Sequence, residues 1–406
     1  MIFNLFFELT LAIIIGIFAG IITGLIPGIH VNLISILLIS ISPFLLTLTS
    51  PLALAVFIIA LATTHTFLDS IPSVFLGAPD SDHALSVLPG HKLLLEGKGF
   101  EAVKLTVIGS FLCLIAAICL VPILIPTVGF IYPYLKNYIG FILLAIIVFM
   151  IVKDKKPKLI LKNLFIFMLS GILGILILTS PIKDPLFPML SGLFGTSTLI
   201  ISLFENNKLP KQTTTETITI KTSTTIKAIS AGTFAGTLTS FFPGLGPAQG
   251  AVIASQITRN IGDHGFMILV GGINTVNFVL SLITFLVLSK ARNGAVIAIS
   301  NFFEIINIPI LLIFISSALI VGSIASIFAL KISKIFSRVI SKINYQKLVT
   351  GVIILVVLLV LTLNGFMGLY ILIISTAIGI LPPKLNIPRN HAMGCLLLPV
   401  VLFFLL

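Results

Sequence analysis

The chain contains no tryptophan, three cysteines, and only 12 acidic beside 24 basic residues in 406. Each scarcity excludes a class of protein. Charged residues make up 9%, against about a quarter of a soluble globular chain, so a water-soluble domain is excluded. Cys113, Cys119 and Cys395 lie singly in apolar stretches; that spacing fits neither a disulfide framework nor a metal site, and they read as small core residues. Without tryptophan, an interfacial aromatic belt must rest on the five tyrosines and on phenylalanine. The first apolar run has neither a basic n-region nor a small-residue cleavage site, so it reads as structure and not as a signal peptide. There is no H-E-x-x-H, the helical signature of a zinc hydrolase.

What fills the chain is apolar. Hydrophobic residues make up 58% and mean hydropathy is +1.24, so the reading is an all-α polytopic membrane protein in the cell membrane. Apolar segments fall at 3–26, 29–48, 51–78, 103–126, 137–152, 163–180, 186–204, 228–258, 265–289, 295–330, 348–363, 366–381 and 391–406, or about 10 to 13 membrane segments at roughly 20 residues each. The net charge of +12 does not point to nucleic acid. Its basic residues sit in short loops between spans, the positive-inside pattern.

One stretch occurs twice. Gly16-Ile17-Phe18-Ala19-Gly20-Ile21-Ile22-Thr23-Gly24-Leu25-Ile26-Pro27-Gly28 returns 216 residues later as Gly232 to Gly244, with seven of thirteen positions identical: Gly, Phe, Ala, Gly, Thr, Pro and Gly. In both copies an apolar helix with small residues four apart runs into Pro-Gly and then into a second apolar helix. Proline lacks the N–H and clashes with the preceding turn, and glycine readily turns the chain, so each copy predicts a helix broken inside the membrane. Such breaks persist only where protein or water satisfies the freed backbone groups. Paired breaks in two halves are the best sequence pointer to a transporter's binding site.

The Thr- and Lys-rich stretch 205–227 divides the chain into a first membrane repeat, 1–204, and a second, 228–406, with a polar cytoplasmic linker between them. Residues 153–162 carry five lysines, and 364–373, 211 residues later, carry none. The second half instead places Lys331, Lys334, Arg338, Lys342 and Lys347 one span earlier, where the first half has only Lys136 in 120–136. If basic loops face the cytoplasm, equivalent spans run in opposite directions. The expected architecture is therefore two inverted-topology repeats whose Pro-Gly-broken helices meet near the bilayer midplane. The N-terminus, with Glu8 and no basic residue, comes out external, and 90–104 comes out cytoplasmic.

Polar residues follow each break. A half-helix starting there turns N–H groups and a positive dipole end toward its guest, which favours an anion. A single Pro-Gly is usually a packing kink; two in register point to binding. The substrate candidates are Pro27, Gly28, His30 and Asn32 in the first copy, and Pro243, Gly244, Gly246, Pro247 and Gln249 in the second. Ser35 and Ser255 stand nearby. His65 and Asp69 lie at i and i+4, with Ser70 beside them. A carboxylate amid apolar residues is costly and marks a functional site by default, although it also serves to pair helices. We expect a coupling-ion or proton site of His65, Asp69 and Ser70, completed from the second half by the neutral Asn274 and Asn277. Asp80 and Asp82, beside His83, read as a solvated loop or as a second part of that site. Glu304 is a further carboxylate among apolar residues and a candidate proton carrier. Arg259 and Arg292 flank the second half's core segments and fit interfacial cations. No organic cofactor and no metal are expected.

Beyond these patterns, particular residues carry a likeness. Phe75-Leu76-Gly77-Ala78-Pro79-Asp80-Ser81-Asp82-His83-Ala84 leads to Gly90-His91-Lys92-Leu93-Leu94-Leu95-Glu96-Gly97-Lys98-Gly99, then Ala102 and Ile108-Gly109-Ser110-Phe111. With the Pro-Gly blocks, this resembles the large permease subunit of tripartite tricarboxylate transporters. The family's Pro-Gly-x-x-Pro stands whole at 243–247, whereas Val31 replaces its second proline in the first half. The chain is also shorter than the usual member, which marks a divergent branch. The resemblance implies a secondary transporter for a di- or tricarboxylate with H⁺ or Na⁺ as coupling ion. It also implies two partners, a small membrane subunit and an extracytoplasmic solute-binding protein. Two other readings fit some residues. Helix N-termini at the breaks suit an inverted-repeat flippase or exporter of a lipid phosphate, and His65 with Asp69 could serve an intramembrane hydrolase.

Overall fold

In hydrocarbon every backbone N–H and C=O must be satisfied within the protein, and an apolar run meets that demand as a helix. The computed structural model is helical throughout its described regular structure. It describes residues 2–27, 31–77, 85, 87–153, 156–182, 185–204, 210–214, 217–242, 245–258, 261–340 and 345–406. In chain order the helices are α1 (Ile2–Leu25), α2 (Val31–Leu45), α3 (Pro51–Leu68), α4 (Ser70–Leu76), α5 (Val87–Leu95), α6 (Gly99–Leu135), α7 (Ile139–Val152), α8 (Pro157–Leu178), α9 (Leu186–Leu190), α10 (Ser197–Phe204), α11 (Thr222–Phe241), α12 (Pro247–Thr258), α13 (Gly262–Leu288), α14 (Gly294–Ser300), α15 (Ile308–Ile340), α16 (Tyr345–Lys384) and α17 (Gly394–Leu405).

Among the described residues, eight helical stretches are long and apolar enough to cross a membrane, and two shorter apolar ones, Ile139–Val152 and Arg389–Leu405, accompany them. The protein is a multi-pass membrane protein. Three details differ from the sequence pattern. The apolar run 295–330 is not one segment: α14 ends at Ser300, and a non-helical connection to Asn307 precedes α15. Asn293 and Asn307 accept from Val296 N and Ile310 N at 3.0 Å each and cap the starts of the two helices, so α15 begins anew after the connection. The runs 348–363 and 366–381 join in α16 across Gly365, whose φ of 64° and ψ of −162° only glycine adopts readily. Third, α11 opens at Thr222, within the stretch assigned to the linker.

Most of the bundle's centre is α13 and α3, whose membrane windows are 94% and 83% buried. Small residues allow the close approach. A Cβ on Gly16, Gly20 or Gly24 would stand 2.5–2.8 Å from the Cβ of Ala60, Thr64 or Leu68, so α1 lies backbone to backbone along α3. A Cβ on Gly236 would stand 2.6 Å from Val276 Cβ and 2.9 Å from Ile273 O, so α11 does the same along α13. Gly20 meets Leu61 and Thr64 as Gly236 meets Ile273 and Val276. Packing thus relates α3 to α13 by 212 residues, one more than the 211 that matched 153–162 to 364–373 in the sequence. The same pairing returns at the periphery. Gly394 approaches Phe167 and Ser170 while Gly192 approaches Leu372 and Ser375; Gly174 approaches Cys395 while Gly379 approaches Leu193.

Helix directions follow from contacts at successive levels. Along α3 and α15, Ala60 clusters with Val321 and Phe75 stacks on Phe336 with ring centroids 5.8 Å apart, so the two run the same way. Along α6 and α13, Glu101 meets His264 at 2.8 Å and Tyr132 meets Arg292 at 2.6 Å, so these also run together. Between the sets the order reverses: Phe75 lies against Gly99, Ser70 bonds Thr106, and Phe67 and Leu114 meet at Gly322. Hence α1, α3 and α15 run one way, and α6, α11 and α13 run the other.

Candidate substrate and ion site

Where α3 ends, the backbone N–H of Asp69 bonds His65 O at 2.9 Å and the chain steps directly into α4. That step sets the Asp69 side chain, 1% exposed, at the level of Asn274 on α13. Asn274 Nδ2 donates to Asp69 Oδ2 at 2.7 Å. One helical turn back, Thr275 Oγ1 donates to Thr66 Oγ1 at 3.3 Å, and beyond Asp69, Thr106 Oγ1 donates to Ser70 Oγ at 2.9 Å. An amide aimed at a buried carboxylate in low dielectric is a strong, orienting contact. Asp69 and Asn274 thus meet across the halves, with Ser70, next in sequence, bonded to α6.

His65 and Asn277 are placed differently. Each bonds a threonine of its neighbouring broken helix: His65 Nδ1 lies 3.1 Å from Thr23 Oγ1, and Asn277 Nδ2 donates to Thr239 Oγ1 at 2.9 Å. The two threonines in turn donate to Gly20 O at 3.2 Å and Gly236 O at 3.0 Å. Thr23 and Thr239 are the identical threonines of the repeated stretch, and His65 and Asn277 are 212 apart, so the two contacts are copies of one another. Sequence reasoning did not single out Thr23, Thr239 or Thr106. The signal for the first two was their identity in both copies. Thr106 carried none, because its role depends on α6 crossing α4.

At the breaks, Pro27 is buried beside α1, and Asn32 lies in the first turn of α2. Gly28, His30, Pro243 and Gly244 lie outside the described residues, as do Asp80, Asp82 and Arg259. Gln249 is 5% exposed and accepts from Gly246 N at 2.9 Å, so it satisfies an orphan N–H at the start of α12, where Pro247 stands first. Ser35, 2% exposed, has a buried hydroxyl without a partner, and Ser255 bonds Val252 O at 2.7 Å. Glu304 is exposed in the connection between α14 and α15. No cluster of three His, Cys, Asp or Glu suited to a metal occurs among the described residues.

A family model described as "Tripartite tricarboxylate transporter TctA family" matches residues 10–394. The chain belongs to the TctA family. This is a transporter family of the membrane, in keeping with the broken helices and the polar centre. The TctA-family chain is also 34% identical, over 406 residues, to an uncharacterized protein of Methanocaldococcus jannaschii, covering 97% of this chain and 98% of that one. No solved structure matches it.

The described residues of the stretch 75–99 in this TctA-family protein lie at the end of the bundle where α4, α5, α6 and α13 meet. Gly77 closes α4 in the left-handed conformation, φ 63°. His91 is 3% exposed, and its Nδ1 lies 3.4 Å from Val74 O, a carbonyl left open at the end of α4. Burial pushes the His91 pKa down to about 4, with the Val74 bond opposing the shift. Lys92 Nζ reaches Asp263 at 2.6 Å across the halves, and that bond together with the carboxylate's charge raises its pKa. The linker docks here too. Gln212 accepts from Gly99 N at 3.0 Å and donates to Leu94 O at 2.9 Å, capping α6 and α5 at once.

Proposed function

We propose that this TctA-family protein is a secondary active transporter for a small di- or tricarboxylate, coupled to H⁺ or Na⁺ and working by alternating access. The observation that carries it is the pair of matching contacts, His65 with Thr23 and Asn277 with Thr239, on helices of opposite direction. Equivalent helices of the two halves run antiparallel and repeat their neighbours, which supports two inverted repeats. Such repeats offer the substrate one environment with two accessible faces. The anion is held at the Pro-Gly breaks, by the backbone there and by His30, Asn32 and the first turn of α12. The coupling ion is held by Asp69, Ser70 and Asn274, with His65 at its edge. Asn274 comes from the other half, so the ion site straddles the repeats, and occupancy of that site ties their relative positions together. A small membrane subunit and an extracytoplasmic binding protein complete the assembly, as in tripartite transporters of this family.

The test uses the purified protein with mono-, di- and tricarboxylates, with and without Na⁺, at two pH values. A ligand of the folded state raises the apparent Tm by mass action, by about 2.7 kcal/mol of stability at a hundredfold excess over Kd. The expected result is a shift with one carboxylate class that grows with Na⁺ or with acid, and that survives Asp69→Asn while losing its dependence on the ion. A carboxylate shift with no ion dependence, or a chemically altered product, would overturn the reading.

A further inference from the structure

A cavity of about 720 Å³ opens between α6 and α11 and reaches Phe241 and Phe242, just before the second Pro-Gly break. Its walls are mostly apolar, among them Leu120, Val128, Ile131 and Phe234. Its origin lies in the repeat. Thr233 and Thr237 line it where the copied positions on α1 are Ile17 and Ile21. In that copy Ile17 is buried in a cluster with Ala60 and Val321, and Ile21 packs against the same cluster. The shorter threonines widen in one half a gap that isoleucine narrows in the other.

Tyr132 lines the cavity, and two cations sit on it. Arg292 Nη2 donates to Tyr132 Oη at 2.6 Å, with its Cζ 5.6 Å from the ring centroid; Lys290 Nζ is 5.9 Å from the same centroid. Among the described residues neither cation has a carboxylate partner, and Arg292 Nε is buried without a hydrogen-bond acceptor. They stand at the end of α13 opposite Asp263 and Lys92. A guest for this site must be apolar along its length and anionic at one end. A transmembrane helix is too large, since its cylinder occupies more than about 2,000 Å³.

We propose that the cavity binds one anionic phospholipid, with an acyl chain between α6 and α11 and its phosphate on Lys290 and Arg292. Phosphate suits the planar fork of arginine, and the cation held on Tyr132 is already oriented for it. The decisive experiment is native mass spectrometry of delipidated protein titrated with phosphatidylglycerol or phosphatidylcholine. Wild type is expected to retain one phosphatidylglycerol in preference. Lys290→Gln with Arg292→Gln should lower that preference by about fivefold per cation removed. Thr233→Ile with Thr237→Ile, which restores the copy's side chains, should remove the tightly held lipid of either kind. Equal retention of the two lipids by wild type overturns the proposal. So does an isoleucine variant that binds lipid unchanged, the outcome expected if a partner's helix covers this face. Should the isoleucine variant not fold, the charge variant, altered outside the helices, decides alone.

Discussion

His65 is where the two halves of the proposed ion site differ in chemistry while agreeing in geometry. Its contact to Thr23 is made in the other half by Asn277 to Thr239, so an asparagine suffices for the structural part of the role. His65→Asn is therefore expected to keep the fold, with Tm within a few degrees of wild type. On the proposed ion site it should weaken the dependence of carboxylate binding on pH between 5 and 8, leaving what His30 and the substrate's own carboxyls contribute. A collapse in Tm would assign His65 to packing alone. His91 gives a second pH effect, and its sign can be worked out. Its folded pKa, about 4, lies below the ordinary 6.5, so the unfolded chain binds the extra proton first. Stability is complete above pH 6.5 and falls as pH drops toward 4, by roughly 3 kcal/mol over the window. His91→Asn retains a donor toward Val74 and should flatten the fall in Tm over that range; a variant that falls as steeply as wild type would assign the loss to other groups.

Among the elements, the broken helices depend on contact at the level of the backbone. A methyl on Gly20 or Gly236 would meet Thr64 or Val276 near 2.5 Å, too close for small adjustments. Gly20→Ala and Gly236→Ala should each destabilise by about 1–3 kcal/mol, read as a drop in Tm in detergent. Gly351→Ala in α16, which meets nothing within 4 Å, should be neutral or slightly stabilising. Similar losses at Gly20 and Gly236 would show that the copies carry equal mechanical weight. This level was largely legible in the sequence: small residues four apart, the Pro-Gly stops and Asp69 as an unusual buried carboxylate all signalled locally. What was not legible arises from long-range packing. The one-residue shift between α3 and α13 is set by which glycine meets which ridge. The cap that Gln249 places on α12 was not legible because it appears only when the chain turns at Gly246. The stop at Ser300 was hidden because Phe302, Phe303, Ile305 and Ile306 keep the connection apolar on average although Asn301, Glu304 and Asn307 interrupt it.

At the scale of the molecule, each half lends a long helix to the other. α6 of the first half lies along α11 and α13, and α15 of the second lies along α1 and α3. Packing thus forms two units, α1 with α3 and α15, and α6 with α11 and α13, rather than the two stretches of sequence. The bonds of His65 and Asn277 fall within these units; those of Asp69, Thr66 and Ser70 fall between them. An ion between Asp69 and Asn274 would thus hold the units together, and its loss would free them. This arrangement makes the inversion directly measurable. Glu8 ties the start of α1 to Thr49 and Ser50, at 3.4 and 3.3 Å, at one end of the bundle. The copied helix α11 starts at the opposite end, beside the level of Lys92 and Asp263. With the three native cysteines replaced by serine, Thr47→Cys should react with a membrane-impermeant maleimide added to intact cells. Lys221→Cys should react only after the membrane is opened, because basic loops remain in the cytoplasm. Labelling of both from the same side would mean that the copies enter the membrane in the same direction, and the pseudo-two-fold relation of the ion site would fall with it.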